Sequence, residues 1–156
     1  MTQTDDPRLL RYAAGIDRQV GALAWMPDDA DLRFWIVTSR RTGRWVLPKG
    51  GVDPGMTPSQ AAAQEAFEEV GLTGEVNHAP IGGYRIPKIR PPLIWTVDVE
   101  IYALRVTHVA ETWLEQSERE RRLVTLAEAH QLIEDDTILS ALSMSTLRLP
   151  IPIGAS

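Results

Sequence analysis

The sequence predicts an α/β/α sandwich built around a mixed β-sheet, and three observations lead there. Short runs rich in β-branched and aromatic residues alternate with helical patterns along the chain. A long alternating run, Leu93–Val106, places Ile94, Thr96, Asp98 and Glu100 on one parity and Trp95, Val97, Val99 and Ile101 on the other, as a strand would. At 156 residues, with no repeat or low-complexity tract, the chain is about one domain, enough to bury roughly 70% of its unfolded surface.

Taken in order, residues 1–15 read as an N-terminal extension. Arg18–Trp25 and Leu32–Ser39 are strands joined by the turn-rich segment Met26–Asp31. Trp45-Val-Leu-Pro-Lys-Gly-Gly51 is a short strand running into a glycine-rich loop. A helix follows, opened by Thr57 as cap, Pro58 in the first turn and Gln60 completing a capping box, and closed at Gly71. Val76–Tyr84 is a short strand region, and 85–92 a proline-interrupted loop. Leu123–Leu126 is a further strand candidate, and Ala127–Glu134 and Thr137–Leu147 are helices, the second amphipathic through Ile138, Leu139, Leu142 and Leu147. Residues 150–156 read as an irregular tail, which leaves residues 16–149 as the domain.

Composition narrows the function classes. A hydrophobic content of 44% and a charged content of 24% are those of an ordinary globular protein. A net charge of −5 argues against general nucleic-acid affinity, though local basic clusters remain able to bind phosphates. No stretch reaches the ~20 apolar residues of a membrane span, and the N-terminus lacks a signal-like apolar core. The lack of cysteine rules out a disulfide framework and fits a cytoplasmic location. Monomer and homodimer are both compatible with the sequence.

The helix at 58–70 carries the chemistry. Glu65, Glu68 and Glu69 project from one face, with Ala63, Ala66, Phe67 and Val70 opposite as the expected core face. Three adjacent carboxylates repel one another unless a cation neutralises them, and oxygen-only ligation suits Mg²⁺ or Mn²⁺. Gly50 and Gly51 let the backbone come close to a metal or phosphate.

Residues 50–72, GGVDPGMTPSQAAAQEAFEEVGL, resemble the signature of the Nudix hydrolases, enzymes that cleave nucleoside diphosphates linked to other moieties and related pyrophosphates. The pattern is met at Gly50 and through Glu65, Glu68, Glu69, Gly71 and Leu72. It departs at Met56, where glutamate is expected, and at Gln64, where arginine is expected. In the family those two residues pair, and losing both together can be nearly neutral where losing one strands a charge. The resemblance implies the Nudix-type sandwich fold and a metal held by Glu65, Glu68 and Glu69 with a backbone carbonyl from the Lys49–Gly50 loop. Within the family, Arg40, Trp45, the Pro-Lys-Gly-Gly loop and Trp113 look like the diphosphoinositol-polyphosphate and diadenosine-polyphosphate phosphohydrolase branch.

All basic residues but Lys49 and Lys88 are arginines, whose planar fork suits phosphate. Arg40, Arg41, Lys49, Gly50 and Gly51 near the metal loop, and Arg85, Lys88 and Arg90 in the following segment, are the expected phosphate contacts. Many Nudix enzymes take another glutamate from the loop before the last strand. Glu118 is the first choice here and Glu115 the second, so Glu65, Glu69 and Glu118 form the expected catalytic set. His78, His108 and His130 share no ligand spacing. Trp95 or Trp113 would be able to stack on a base.

The activity implied is hydrolysis of a phosphoanhydride bond in a small polyphosphorylated molecule, such as a diphosphoinositol polyphosphate or a dinucleoside polyphosphate. With divalent ions neutralising the phosphate charge, a carboxylate-oriented water would attack phosphorus in line and expel a phosphate or nucleotide. The alternatives are another Nudix substrate (a capped RNA end, an oxidised nucleotide, ADP-ribose or a nucleotide sugar) or a weakened, ligand-binding Nudix domain.

Overall fold

The computed structural model describes residues 17–27 and 31–149; the segments read as N-terminal extension and C-terminal tail lie outside the described residues. Among the described residues, eight strands and three helices follow one another: β1 (Asp17–Pro27), β2 (Leu32–Thr38), β3 (Trp45–Val46), β4 (Lys49–Gly50), α1 (Pro58–Val70), β5 (Leu72–Val76), β6 (Gly82–Arg90), β7 (Leu93–Val109), β8 (Arg121–Val124), α2 (Leu126–Leu132) and α3 (Asp136–Thr146). All eight strands belong to one sheet. Its main path runs β3-β2-β1-β7-β5, with β4 on β1, β6 on β7 and β8 on β2. β1 and β7 are parallel, with Gln19 opposite Val99 and Leu23 opposite Ala103, and the remaining pairs are antiparallel.

Each face of the sheet buries its own core. Leu23, Trp25, Phe34, Ile36, Val97, Val99 and Ile101 pack under α2 and α3 through Ala129, Ile133, Ile138 and Leu142. Val20, Ala22, Ala24, Tyr102, Leu104 and Val106 pack under Ala61, Ala62, Ala66 and Val70 of α1. The expected sandwich is therefore present, with α1 on one face and α2 and α3 on the other.

Three local readings change. The 85–92 segment is largely strand: β6 pairs with β7 from Gly82↔Ile101 to Arg90↔Leu93 and turns at a cis Pro91–Pro92 bond. Pro87 is tolerated because, among the described residues, β7 is the one strand that β6 pairs with. The expected strand at Val76–Tyr84 is instead the end of β5, a loop, and the start of β6. The core face of α1 also lies about a quarter turn from the expected one. Ser59, Ala61, Ala62, Ala66, Glu69 and Val70 are buried, whereas Phe67 is 47% exposed. Alanines allow the helix to lie close on the sheet, and this orientation carries Glu69 inward.

Candidate active site

The ends of α1 are fixed as the sequence requires. Thr57 accepts from the Gln60 N–H at 3.2 Å while its own N–H donates to Gln60 Oε1 at 3.0 Å. Gly71 ends the helix in the left-handed region at φ 73° and donates to the carbonyls of Ala66 and Phe67. The carbonyls of the last turn would otherwise lack partners, and the segment between β7 and β8 supplies them. Glu115 N–H donates to Glu68 O at 3.1 Å and Ala110 N–H to Gly71 O at 2.8 Å. Trp113 Nε1 donates to Glu69 O and Arg121 Nη1 to Val70 O, each at 2.9 Å. Arg121 also stacks on the Trp113 ring, 3.9 Å from its centroid, and its charge suits a helix C-terminus. Trp113 is thus held against the helix end.

Glu65 and Glu69 meet side chain to side chain. Burial raises the proton affinity of both; their mutual hydrogen bond raises that of Glu69 further, and Arg119 opposes this, leaving Glu69 at about 9. The pair shares a proton because two carboxylates this close do not both ionise in a buried setting. Glu68 accepts from Gln64 Nε2 at 2.7 Å. Gln64 thus fills the arginine position with a neutral donor to a different glutamate. Gly50 faces the pair: a Cβ there would fall on the Glu65 carboxyl group.

Among the described residues no three acidic or histidine side chains already converge tightly enough to hold an ion. The donor set nevertheless fits one. Glu65 and Glu69 share a position that a divalent ion would take from the proton, Glu68 lies one turn-neighbour away, all donors are oxygens, and the glycine cradle leaves room.

A cleft of about 530 Å³ opens beside this group, lined by Arg40, Arg41, Arg44, Lys49, Lys88 and Arg119, with Glu69, Asp135, Trp45, Ile86, Pro87 and Ile138. The chain's two lysines meet here. Burial first, then the adjacent Lys88 ammonium, pulls Lys49 down to about 8, and Lys49 Nζ donates to Gln19 Oε1 at 3.1 Å. Arg85 points elsewhere: its Nε and Nη2 donate to Asp98 at 2.6 and 3.0 Å across the β6–β7 pair. Arg90, at the exposed end of β6, does not line the cleft. Of the second basic group only Lys88 reaches it: Arg85 lies on the opposite face of the strand, and Arg90, on the face of Lys88, lies two residues further along, past the cleft. Gly51 faces open space.

The two loop glutamates separate. Glu118 is half exposed, 3.6 Å from Arg40 Nη1 at the rim. Glu115 is 14% exposed, accepts from Arg119 Nε at 2.9 Å and lies 3.7 Å from Arg40 Nε. The Glu115 backbone bond to α1 is what draws it inward, so the geometry favours Glu115 over Glu118. Arg119 was not singled out by the sequence reading, although its four-residue spacing from Glu115 is visible there.

A model of the NUDIX domain matches residues 17–142. The chain belongs to the NUDIX family. Among curated relatives it is 29% identical over 112 residues to diphosphoinositol polyphosphate phosphohydrolase 3-beta of Bos taurus, covering 72% of this chain and 61% of that one. It is 31% identical over 115 residues to the mitochondrial Nudix hydrolase 12 of Arabidopsis thaliana, covering 71% and 57%. The chain thus spans about three-fifths of the length of these NUDIX relatives. In fold it is similar to a C. elegans Ap4A hydrolase, with TM-score 0.64, 18% identity, and 85% and 98% of the two chains covered. It is similar also to the NUDIX domain of Shewanella oneidensis NrtR, with TM-score 0.67, 16% identity, and 95% and 99% covered. The family and the likeness to the diphosphoinositol polyphosphate phosphohydrolase branch are as the signature and its flanking residues imply. Among the described residues no helix is long and apolar enough to cross a membrane.

Proposed function

We propose that this NUDIX chain hydrolyses a phosphoanhydride bond in a small polyphosphorylated molecule, with Mg²⁺ or Mn²⁺ held by Glu65, Glu68 and Glu69 and a backbone carbonyl of the Lys49–Gly50 loop. The observation that carries this reading is the meeting of Lys49 and Lys88 in one cleft directly beside the Glu65–Glu69 pair, of which Glu69 is buried. Two ammonium groups side by side repel, and a polyanion relieves that repulsion. When bound, the metal would neutralise charge on the phosphoryl oxygens and acidify a water.

The chain's own residues do the rest. Lys49, Lys88, Arg40 and Arg41 bind and orient the phosphates, while Ile86, Pro87 and Ile138 shield one wall from water. Glu115 orients a water and takes its proton as the oxygen attacks phosphorus, and the anhydride bond breaks in line. The leaving phosphate departs as an anion against the arginines. Diphosphoinositol polyphosphates and dinucleoside polyphosphates, on which relatives and structural neighbours are named as acting, carry the charge this cleft matches.

A panel with Mg²⁺ tests this, comparing those two classes with ADP-ribose, nucleotide sugars and phosphate monoesters. Preference for the polyphosphates, lost on chelation and shifted to higher KM by Lys88→Ala, is the expected result. Turnover that persists without metal, or a preference for monoesters, refutes it.

A further inference from the structure

Arg119 is the cation most deeply set into the carboxylate group, 9% exposed at its side chain. Its three nitrogens face three acceptors on three segments. Nε donates to Glu115 at 2.9 Å, Nη1 donates to the carbonyl of Thr38 at the end of β2 at 3.0 Å, and Nη2 lies 3.6 Å from Glu69 Oε1. Thr38 is itself clamped to the next residue, accepting the Glu120 N–H on its hydroxyl at 2.8 Å and donating its own N–H to Glu120 O at 3.0 Å. The guanidinium is therefore anchored on the sheet from behind, and its Nε/Nη2 edge is turned to two carboxylates, one from α1 and one from the loop.

We propose that Arg119 is a positioning residue for hydrolysis: it holds the Glu115 carboxylate beside Glu69, so that Glu115 stands at the reacting phosphorus rather than swinging out to the cleft rim. The inference deepens the hydrolase reading above and rests on it. Without Arg119, Glu115 keeps its backbone bond to Glu68, but its side chain has only the exposed Arg40, at 3.7 Å, to hold it, and Arg40 already reaches Glu118 at the rim. A lysine has one compact ammonium and cannot meet three acceptors at once. It would keep the charge and lose the alignment.

The test compares wild type with R119Q, R119K, E115Q and the double variant R119Q/E115Q, measuring kcat and KM on the best polyphosphate substrate and Mn²⁺ binding by electron paramagnetic resonance. Thermal melts accompany each, and R119K serves where R119Q fails to fold. If Arg119 acts through Glu115, R119Q and E115Q each lower kcat by roughly a hundredfold, the size of a lost general base. The double variant is then no worse than either, R119K recovers part of the rate, KM stays within about twofold, and Mn²⁺ binds at least as tightly as in wild type. A rise in KM with kcat unchanged would make Arg119 a phosphate ligand and overturn the proposal. So would additive losses, or loss of Mn²⁺ binding in R119Q. Failure of wild type to bind Mn²⁺ or to hydrolyse any phosphoanhydride overturns the hydrolase reading and this proposal with it, whereas wild-type kcat in E115Q with Mn²⁺ binding intact overturns this proposal alone.

Discussion

Gly50→Ala separates the geometry of the proposed metal site from the stability of the fold. A Cβ at this position would sit 2.7 Å from Glu65 Oε2, with the other two carboxyl atoms nearer still, where ordinary contact begins at 3.4 Å. The carboxylate must retreat by about 1 Å, a displacement that costs on the order of a hundredfold in rate when it misplaces a reacting or metal-holding group. Gly50 has no positive φ, so alanine fits its backbone; by narrowing the unfolded ensemble it would offset some of the crowding, by about 0.4–1 kcal/mol. Gly51→Ala is the internal control, because a Cβ there meets nothing within 4 Å. The assay is metal-dependent turnover alongside thermal melting and Mn²⁺ titration for both variants. The expected outcome is a roughly hundredfold loss and weakened Mn²⁺ binding in G50A with a melting temperature close to wild type, and near-normal behaviour in G51A. Wild-type turnover in G50A would show that Glu65 has no role at the reacting centre, and equal losses in both variants would show that the loop backbone, not the carboxylate, is what was disturbed.

Three further outcomes follow from the same site. In chelator, the folded protein keeps a proton on the Glu65–Glu69 pair that the unfolded chain gives up above the ordinary carboxylate value of 4.5; the pair's contribution to stability is therefore fully present below that pH and is lost as pH climbs toward about 9. Melts between pH 5 and 8 should show this slope, and Glu69→Gln should flatten it while lowering turnover by orders of magnitude; an unchanged slope in the variant would remove the pair as its source. Arg40→Ala should act mainly on KM, by the ~1.5–3 kcal/mol of a charged hydrogen bond, since its present ion pairs at 3.6 and 3.7 Å are loose enough to yield to a phosphate; a kcat effect without a KM effect would place it elsewhere in the reaction. Met56 and Gln64 line one groove on the outer side of α1, close enough to couple. Met56→Glu with Gln64→Arg should gain stability over either single change in a double-mutant cycle, and additive melting shifts would show that the two positions do not communicate.

The fold and the helix of the signature were legible because they rest on local chemistry: Thr57 and Gln60 close a capping box, Gly71 supplies the left-handed turn, and Val97, Val99 and Ile101 alternate inward as written. The depth at which that helix sits was not. Phe67 and Ala63 carry more apolar surface than Ser59, yet small side chains decide how close a helix lies to a sheet, so the buried arc follows the alanines and takes Glu69 with it. The basic residues were legible as a set but not as individuals. Arg85 and Lys88 differ by three positions in one strand, and that odd spacing sends one to Asp98 and the other to the cleft. The choice between Glu115 and Glu118 turns on a bond to a helix carbonyl more than forty residues away, and no local pattern encodes a contact of that range.

The four bonds by which residues 110–121 satisfy Glu68, Glu69, Val70 and Gly71 have a consequence for protein engineering. The 23-residue signature is not self-sufficient here, because its last carbonyls are satisfied from outside it. Grafted into a host scaffold without the Trp113–Arg121 strap, the transplanted helix would expose its last carbonyls and leave a void over Gly71, where the Trp113 side chain now approaches within 3.0 Å of a would-be Cβ. Strap and signature must therefore be moved as one unit, and natural drift in either is expected to be answered by change in the other.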